Sequence, residues 1–337
     1  MTNITPNNLS DYNGEAEFYE SVGIHQKLKH KFIDLYLKIW VENVGQRSRT
    51  TPPTVDFFDL YAASGLAHDQ NTGETWEGSA LLAAKAFGEY PNGRLLFLNS
   101  YDENPTTCKH QIEILKRNIQ NLEDCPHVNE KTRFFSADIH QATDEALRIV
   151  NKDYPSLWIL DPYHPDQLPW KIIERIGSTS GKPFIDKKSG RSVMKKPELI
   201  INLMTSILQR NIDRKPELLS NAIGLSQENW TPLYEKYEEK WKRLGVEKCT
   251  RHIILDIYAE RLSQLYKNPP IIAEVNAAEG GIVYAMLLVT DSNAGYYNMK
   301  KKMDEWQDYK IYQWKPEAKL SVFKRKNPDQ KDITTWF

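Results

Sequence analysis

Between residues 56 and 204 the chain alternates short apolar runs with longer amphipathic segments. Short apolar runs bounded by turn residues predict buried strands, and apolar positions repeating every three or four residues predict helices between them. Five runs are predicted strands: 55–62, 94–100, 133–137, 157–160 and 198–203. Because apolar strands joined by helices are covered on both faces, the pattern predicts an α/β fold with a mostly parallel, doubly wound sheet.

The pattern changes after residue 204. Residues 205–248 are polar with helical spacing, and we interpret them as a helical insertion. A helix over 251–266 follows, and the apolar runs 271–275 and 282–290, joined by Ala-Glu-Gly-Gly, predict an antiparallel hairpin. The predicted division is a flexible N-terminus (1–20), a Rossmann core with an N-terminal helix (21–204), the insertion (205–248), the final helix and hairpin of the core (249–308) and a C-terminal tail (309–337).

Composition narrows the class of protein. The chain has 44 Lys and Arg against 45 Asp and Glu, a net charge of -1, which argues against nucleic-acid binding across the whole surface. No apolar run approaches the roughly 18 residues of a membrane span, and the polar first 20 residues do not resemble a signal peptide. We therefore expect a cytoplasmic protein with no membrane association. The lysine-rich stretch 182–196 leaves room for a confined nucleic-acid contact, although such stretches are more often solvated surface.

The sequence lacks several common motifs for disulfides, metal binding, nucleotide binding and hydrolysis. Cys108, Cys125 and Cys249 are odd in number and lack C-x-x-C spacing, which predicts reduced structural thiols. The histidines show no paired metal-ligand spacing, and we predict no metal. A G-x-G-x-x-G fingerprint, a P-loop and a G-x-S-x-G elbow are also missing, which counts against nicotinamide cofactors, ATP and serine hydrolysis.

Polar side chains accompany the ends of four predicted strands. Asp59 lies in the first strand, Asn99 in the second, and Asp138 and Asp161 follow the third and fourth. Ligands of open parallel sheets lie beyond the carboxyl ends of the strands. Acceptors there suit a nucleoside-type ligand, whose ribose hydroxyls and exocyclic amine are donors. Any one of these acids is explained equally well as a helix N-cap.

Five segments together resemble the three-Cys-motif partner family, bacterial proteins similar to S-adenosylmethionine-dependent methyltransferases. They are residues 27–40 (KLKHKFIDLYLKIW), 59–65 (DLYAASG), 78–79 (GS), 161–163 (DPY) and 296–306 (YYNMKKKMDEW). The resemblance implies a Rossmann-like methyltransferase sheet, whose last strand is reversed as in the predicted hairpin. The His-Lys and Gly-Ser pairs also resemble ribosomal-RNA adenine-N6 methyltransferases, whose fourth strand ends in Asp-Pro-Pro-Tyr.

The resemblance implies a binding site for S-adenosylmethionine. The residues it places there are His30, Lys31, Asp59, Ala62, Ala63, Gly65, Asn99 and Asp138. His30 and Lys31 would lie near the methionine carboxylate, and Asp138 near the adenine amine. The small residues from Ala62 to Gly65 would form the cofactor loop.

The implied reaction is methyl transfer to an amine, most plausibly of a nucleobase in RNA or DNA. Asp161 would accept a hydrogen bond from the target amine, and Tyr163 would stack on the target base. Two departures from the family pattern favour an alternative function without catalysis. Ala63 replaces a glycine of the family pattern, and Asn99 replaces an acid that would hold both ribose hydroxyls. The alternative is a catalytically degenerate protein that serves as partner or substrate-presenting subunit of a radical-type enzyme bearing the three-Cys motif.

Overall fold

A computed structural model describes most of the chain. The described residues are 20–21, 24–46, 55–69, 72–88, 93–99, 105–122, 125, 128–181, 184–185, 192–193, 196–246, 250–277, 282–308 and 318–322. Nearly all of the predicted N-terminal segment and most of the lysine-rich stretch 182–196 lie outside the described residues. So do the hairpin turn 278–281 and most of the predicted C-terminal tail.

The described strands form three sheets. In chain order the strands are β1 (Glu20–Ser21), β2 (Asp56–Asp59), β3 (Leu66–His68), β4 (Thr75–Glu77), β5 (Arg94–Asn99), β6 (Thr132–Ser136), β7 (Ser156–Leu160), β8 (Phe184–Ile185), β9 (Ser192–Val193), β10 (Glu198–Leu203), β11 (Ile271–Ala277), β12 (Ile282–Val289) and β13 (Ala318–Val322). The main sheet has the order β13-β11-β12-β10-β7-β2-β5-β6. Strands β1, β3 and β4 form a second sheet, and β8 pairs with β9.

The strand order of the main sheet defines a switch point. Strands β2, β5, β6, β7 and β10 are parallel, whereas β12 is antiparallel to both of its neighbours, β10 and β11. From β2 the chain moves outward to β5 and β6, then returns to β7 on the other side of β2. The predicted fold class is confirmed: the sheet is Rossmann-like and mostly parallel, with the reversed strand and C-terminal hairpin of the methyltransferase type. Open sheets of this kind bind ligands where the order reverses, here between β2 and β7.

The helices cover both faces of the main sheet. They are α1 (Ile24–Gln46), α2 (Ser79–Gly88), α3 (Pro105–Gln120), α4 (Val128–Lys131), α5 (Ile139–Ile149), α6 (Trp170–Gly177), α7 (Thr205–Asn211), α8 (Pro216–Ile223), α9 (Gln227–Arg243), α10 (Thr250–Leu265) and α11 (Asn293–Asp308). Phe57 and Ile159 enter the apolar cluster that includes α1. Phe58 and Trp158 enter the opposite cluster, where their rings stack with centroids 4.0 Å apart. Successive strand residues therefore serve opposite layers of the core.

The predicted helical insertion forms α7, α8 and α9. Its buried aromatic side chains, Trp230, Tyr237 and Trp241, belong to the same cluster as Trp158 of the sheet. The indole Nε1 of Trp241 also donates to Oδ2 of Asp256 on α10 at 2.8 Å. These helices therefore supply part of the layer that covers one face of the sheet. The division into core and insertion at residues 205–248 stays a prediction.

Three features differ from the elements that the sequence predicts. The first core strand ends at Asp59 rather than at residue 62, because the chain turns at Leu60. The segment between Gly65 and Gly78 forms the hairpin β3–β4, to which β1 adds in parallel. Within the predicted tail, β13 pairs antiparallel with β11 and extends the main sheet by one strand.

The described residues were compared with the requirements for a membrane-spanning helix, a disulfide and a metal site. None of its helices combines the length and apolar composition that crossing a membrane requires. Cys125 is a buried free thiol, whereas the side chains of Cys108 and Cys249 lie outside the described residues. No cluster of three or more His, Cys, Asp or Glu side chains among the described residues is placed to hold a metal ion.

Candidate functional site

Three strands around the switch point carry polar side chains at their carboxyl ends. Asp59 ends β2, Asp161 directly follows β7, and Asn202 lies one residue before the end of β10. All three are buried, with at most 8% of the residue surface exposed. Phe57 and Ile200, two residues before Asp59 and Asn202, pack in the cluster that includes α1. Because side chains of a strand alternate between the two faces of a sheet, Asp59 and Asn202 lie on the face covered by α1. We refer to Asp59, Asp161 and Asn202 as the polar row.

Lys29 of α1 and Asn202 together hold the Asp161 carboxylate. Lys29 Nζ lies 2.6 Å from Asp161 Oδ2, and Asn202 Nδ2 donates to Asp161 Oδ1 at 2.8 Å. The Lys29 side chain is 3% exposed and that of Asp161 is 8% exposed, so the ion pair is buried. A buried carboxylate is tolerated where its charge is paired and its oxygens are hydrogen-bonded. Both conditions are met for Asp161.

Asp59 has an unusual protonation equilibrium. Burial raises the pKa of its carboxyl group to about 7, although the nearby Ser79 hydroxyl, the Tyr61 N–H and Lys29 oppose the rise. The Tyr61 N–H donates to Asp59 Oδ1 at 3.0 Å. Asp59 Oδ2 is buried without a hydrogen-bond partner at normal distance among the described residues. The charge of Asp59 therefore changes near neutral pH.

A turn of small residues leads away from β2. Ala63 has φ of 47° and Gly65 has φ of 78°, both in the left-handed region that favours glycine. A Cβ at Gly65 would lie 2.6 Å from Leu115 Cδ1, so this position requires glycine. The Gly78 N–H donates to the Gly65 carbonyl at 2.8 Å, which fastens the turn to the start of α2. The predicted cofactor loop, including Ala62, is thus tightly packed and buried.

Replacing Ala63 by glycine should stabilise the protein by about 0.5–1 kcal/mol. A left-handed alanine costs about 1–2 kcal/mol, which exceeds the roughly 0.5–1 kcal/mol that glycine adds to the entropy of the unfolded chain. The measurement is the midpoint of urea unfolding. Ala62→Gly is the matched control, because Ala62 is equally buried and has no positive φ, and it should lower the midpoint. A lower midpoint for Ala63→Gly would show that the turn is unstrained.

His30 and Lys31 lie on α1 next to Lys29. His30 is buried, and its Nδ1 accepts a hydrogen bond from Trp76 Nε1 of β4 at 2.9 Å. Burial lowers the pKa of His30 well below its ordinary value, and the charge of Lys29 lowers it further. Lys31 is half-buried, and burial followed by the charge of Lys27 lowers its pKa. The His30 ring is therefore neutral at physiological pH.

Three further predicted site residues lie at or just after the ends of β5, β6 and β7. Asp138 follows β6, two strands beyond β2, and its Oδ1 accepts from two N–H groups at the start of α5, at 2.9 and 3.1 Å. Asp138 is thus the N-cap of α5. Tyr163 is half-buried, and its N–H donates to Gln167 Oε1 at 2.9 Å. Asn99 ends β5, and its side chain lies outside the description.

Three residues of the site are not predicted from the sequence: Lys29, Asn202 and Trp76. Lys29 is adjacent to His30, but nothing local indicates that its ammonium group reaches Asp161. Asn202 interrupts the apolar run Leu-Ile-Ile-Asn-Leu, and a polar residue inside a buried strand is a usable signal for a site. Nothing in the sequence marks Trp76 as a site residue, because its three-residue strand is too short to show a hydrophobic period.

No protein-family model matches the chain, and no curated protein matches it. Among solved structures, protein LPL1258 from Legionella pneumophila is 11% identical with a TM-score of 0.44, covering 87% of this chain and 96% of that one. The plantazolicin methyltransferase BamL, solved with S-adenosylhomocysteine, is 10% identical with a TM-score of 0.36, covering 88% and 85%. The O-methyltransferase TomG from Streptomyces achromogenes, solved with S-adenosylmethionine, is 8% identical with a TM-score of 0.38, covering 84% and 96%. Membership of the three-Cys-motif partner family therefore stays a resemblance.

Proposed function

We propose that this protein binds S-adenosylmethionine and transfers its methyl group to an amine. The observation that carries the proposal is a pair of buried acceptors beside the switch point, Asp59 Oδ2 and Asn202 Oδ1, which have no hydrogen-bond partner at normal distance among the described residues. A third such acceptor, Gln26 Oε1, lies on α1 three residues before Lys29. Each unsatisfied buried acceptor costs about 1–3 kcal/mol, so a ligand rich in donors is expected. S-adenosylmethionine offers ribose hydroxyls, an ammonium group and a sulfonium charge that suits a site with two carboxylates.

The residues of this chain fit that cofactor. The turn of Ala62, Ala63 and Gly65, which follows the end of β2, would lie beside the cofactor. Asp59 would accept from its donors, and His30 with Lys31 would favour its carboxylate. When bound, the cofactor supplies a methyl group made electrophilic by the positively charged sulfur.

The polar row can also orient an amine. The amine must direct its nitrogen lone pair at the methyl carbon while acceptors hold its N–H groups. Lys29 and Asn202 fix Asp161 from two sides, and Asn202 Oδ1 is a further acceptor beside it. Tyr163 offers a ring on which a flat base can stack. The nitrogen that gains a methyl group loses a proton, and Asp59 can take up a proton at neutral pH. A nucleobase amine in RNA or DNA is the acceptor that the sequence resemblance favours.

The Lys29–Asp161 ion pair favours a second candidate function, in which the protein does not catalyse methyl transfer. Because Lys29 already neutralises Asp161, this part of the site is stable without a ligand. Ala63 also places a Cβ in the turn where the family pattern has glycine. In this case the chain would act as a partner or substrate-presenting subunit of another enzyme, such as one bearing the three-Cys motif.

Calorimetric titration with S-adenosylmethionine separates the two functions. We expect saturable binding below millimolar cofactor, and an absence of binding heat at millimolar cofactor would exclude the methyltransferase. Transfer of a labelled methyl group to RNA and to DNA, followed by digestion to nucleosides, identifies the base. Asp161→Asn should slow transfer by about 100-fold or more while leaving cofactor affinity nearly unchanged, since it alters the amine contact. Asp166→Ala, at an exposed acid on the next turn, is the matched control and should change neither quantity.

A further inference from the structure

Two buried polar side chains of α1 lie four residues apart, on one face of the helix. Gln26 is 9% exposed and His30 is 5% exposed. Within the part of the chain that the structure describes, Gln26 Oε1 has no hydrogen-bond partner, and the His30 ring is bonded only at Nδ1. One acceptor and one ring nitrogen on the same helix face are therefore left for a ligand.

Trp76 determines which nitrogen of His30 carries the proton. An indole N–H can only donate, so Nδ1, which accepts from it at 2.9 Å, is unprotonated. A neutral ring then carries its proton on Nε2, and the unbonded nitrogen is a donor. Lys27 lies over the Trp76 ring, with Nζ 5.6 Å from the centroid, and pairs with Glu74. These contacts hold the β3–β4 hairpin against α1 and keep the indole in place.

We propose that Gln26 joins His30 at the amino-acid end of the cofactor, and that Trp76 is the positioning residue that holds His30 with its Nε2–H free for the ligand. This inference rests on the proposed function. The two ends of an amino-acid group need opposite partners: the ammonium needs an acceptor, supplied by Gln26 Oε1, and the carboxylate needs a donor, supplied by His30 Nε2–H.

The test compares two ligands that differ only in this end of the molecule. Calorimetry measures the affinity of S-adenosylmethionine and of 5′-methylthioadenosine, which lacks the amino-acid group. Gln26→Met should weaken S-adenosylmethionine binding by about 10- to 100-fold, the effect of losing one hydrogen bond to a charged group. Trp76→Phe leaves the His30 ring in place but unoriented, and should weaken binding by about 3- to 10-fold. Both variants should bind 5′-methylthioadenosine as the wild type does. Trp230→Phe also removes an indole hydrogen bond, to Ser220 on the other face of the sheet, and should change neither affinity.

Nitrogen-15 spectra of the wild-type protein give a readout that is independent of binding. The His30 ring should show the tautomer protonated at Nε2, and Trp76→Phe should raise the fraction of the ring protonated at Nδ1. A ring protonated at Nδ1 in the wild type would overturn the proposal. Equal loss of affinity for both ligands, or no loss for either, would also overturn it while leaving cofactor binding intact. If the wild type binds neither ligand, the proposed function itself fails.

Discussion

Lys29→Met should destabilise the protein by about 3–5 kcal/mol. The substitution leaves the Asp161 carboxylate buried without its ion-pair partner, and breaking a buried pair from one side costs about this much. Methionine matches the length of the lysine stem, so packing against the sheet is preserved. The substitution therefore removes mainly the interaction of the ammonium charge with Asp161. Urea unfolding at neutral pH measures the change.

The control lies on the same helix. Lys38 pairs with Asp34 one turn away, but 67% of its side chain is exposed, so Lys38→Met should change stability by less than about 0.5 kcal/mol. Adding Asp161→Asn to Lys29→Met removes the unpaired charge and should restore most of the lost stability. A loss below about 1 kcal/mol for Lys29→Met would mean that water reaches Asp161 in the folded protein.

The sheet could be predicted because its strands are buried on both faces. Strands β7 and β10 consist mainly of apolar residues, so composition marks them, and helical periods between the apolar runs indicate parallel crossovers. Since parallel strands end at one edge, the positions of Asp59 and Asp161 near that edge followed from the strand boundaries. The hairpin β11–β12 followed from two apolar runs around a Gly-Gly turn.

The contacts within the site could not be predicted from the sequence. The Lys29–Asp161 pair depends on how α1 docks across the sheet, which no local pattern specifies. Strands β3 and β4 have three residues each, too few for a period-two pattern, so no local pattern marks the hairpin that carries Trp76. The left-handed backbone at Ala63 runs against the intrinsic preference of alanine, and packing of the surrounding turn overrides it. Local sequence thus predicts where strands end, and long-range packing decides which side chains meet there.

Asp59→Asn should remove the pH dependence that this buried carboxyl group gives to stability. The pKa of Asp59 is about 7 in the folded protein, against about 3.9 for an unperturbed aspartate in the unfolded chain. The folded state therefore binds the proton more tightly, so stability is greatest below about pH 4, falls as the pH rises toward 7, and the loss is complete above 7. A difference of this size corresponds to roughly 4 kcal/mol.

Asparagine keeps an acceptor for the Tyr61 N–H but cannot ionise. We therefore expect Asp59→Asn to match the wild type near pH 4 and to exceed its stability at pH 8 by about 2–4 kcal/mol, measured by urea unfolding at both values. Asp153→Asn, at an exposed acid, is the control and should shift neither value. An equal difference between Asp59→Asn and wild type at pH 4 and pH 8 would refute a raised pKa. The expected gain at pH 8 means that the charge of Asp59 opposes folding. A donor-rich, positively charged ligand would offset that cost, because it stabilises the ionised carboxylate that burial disfavours.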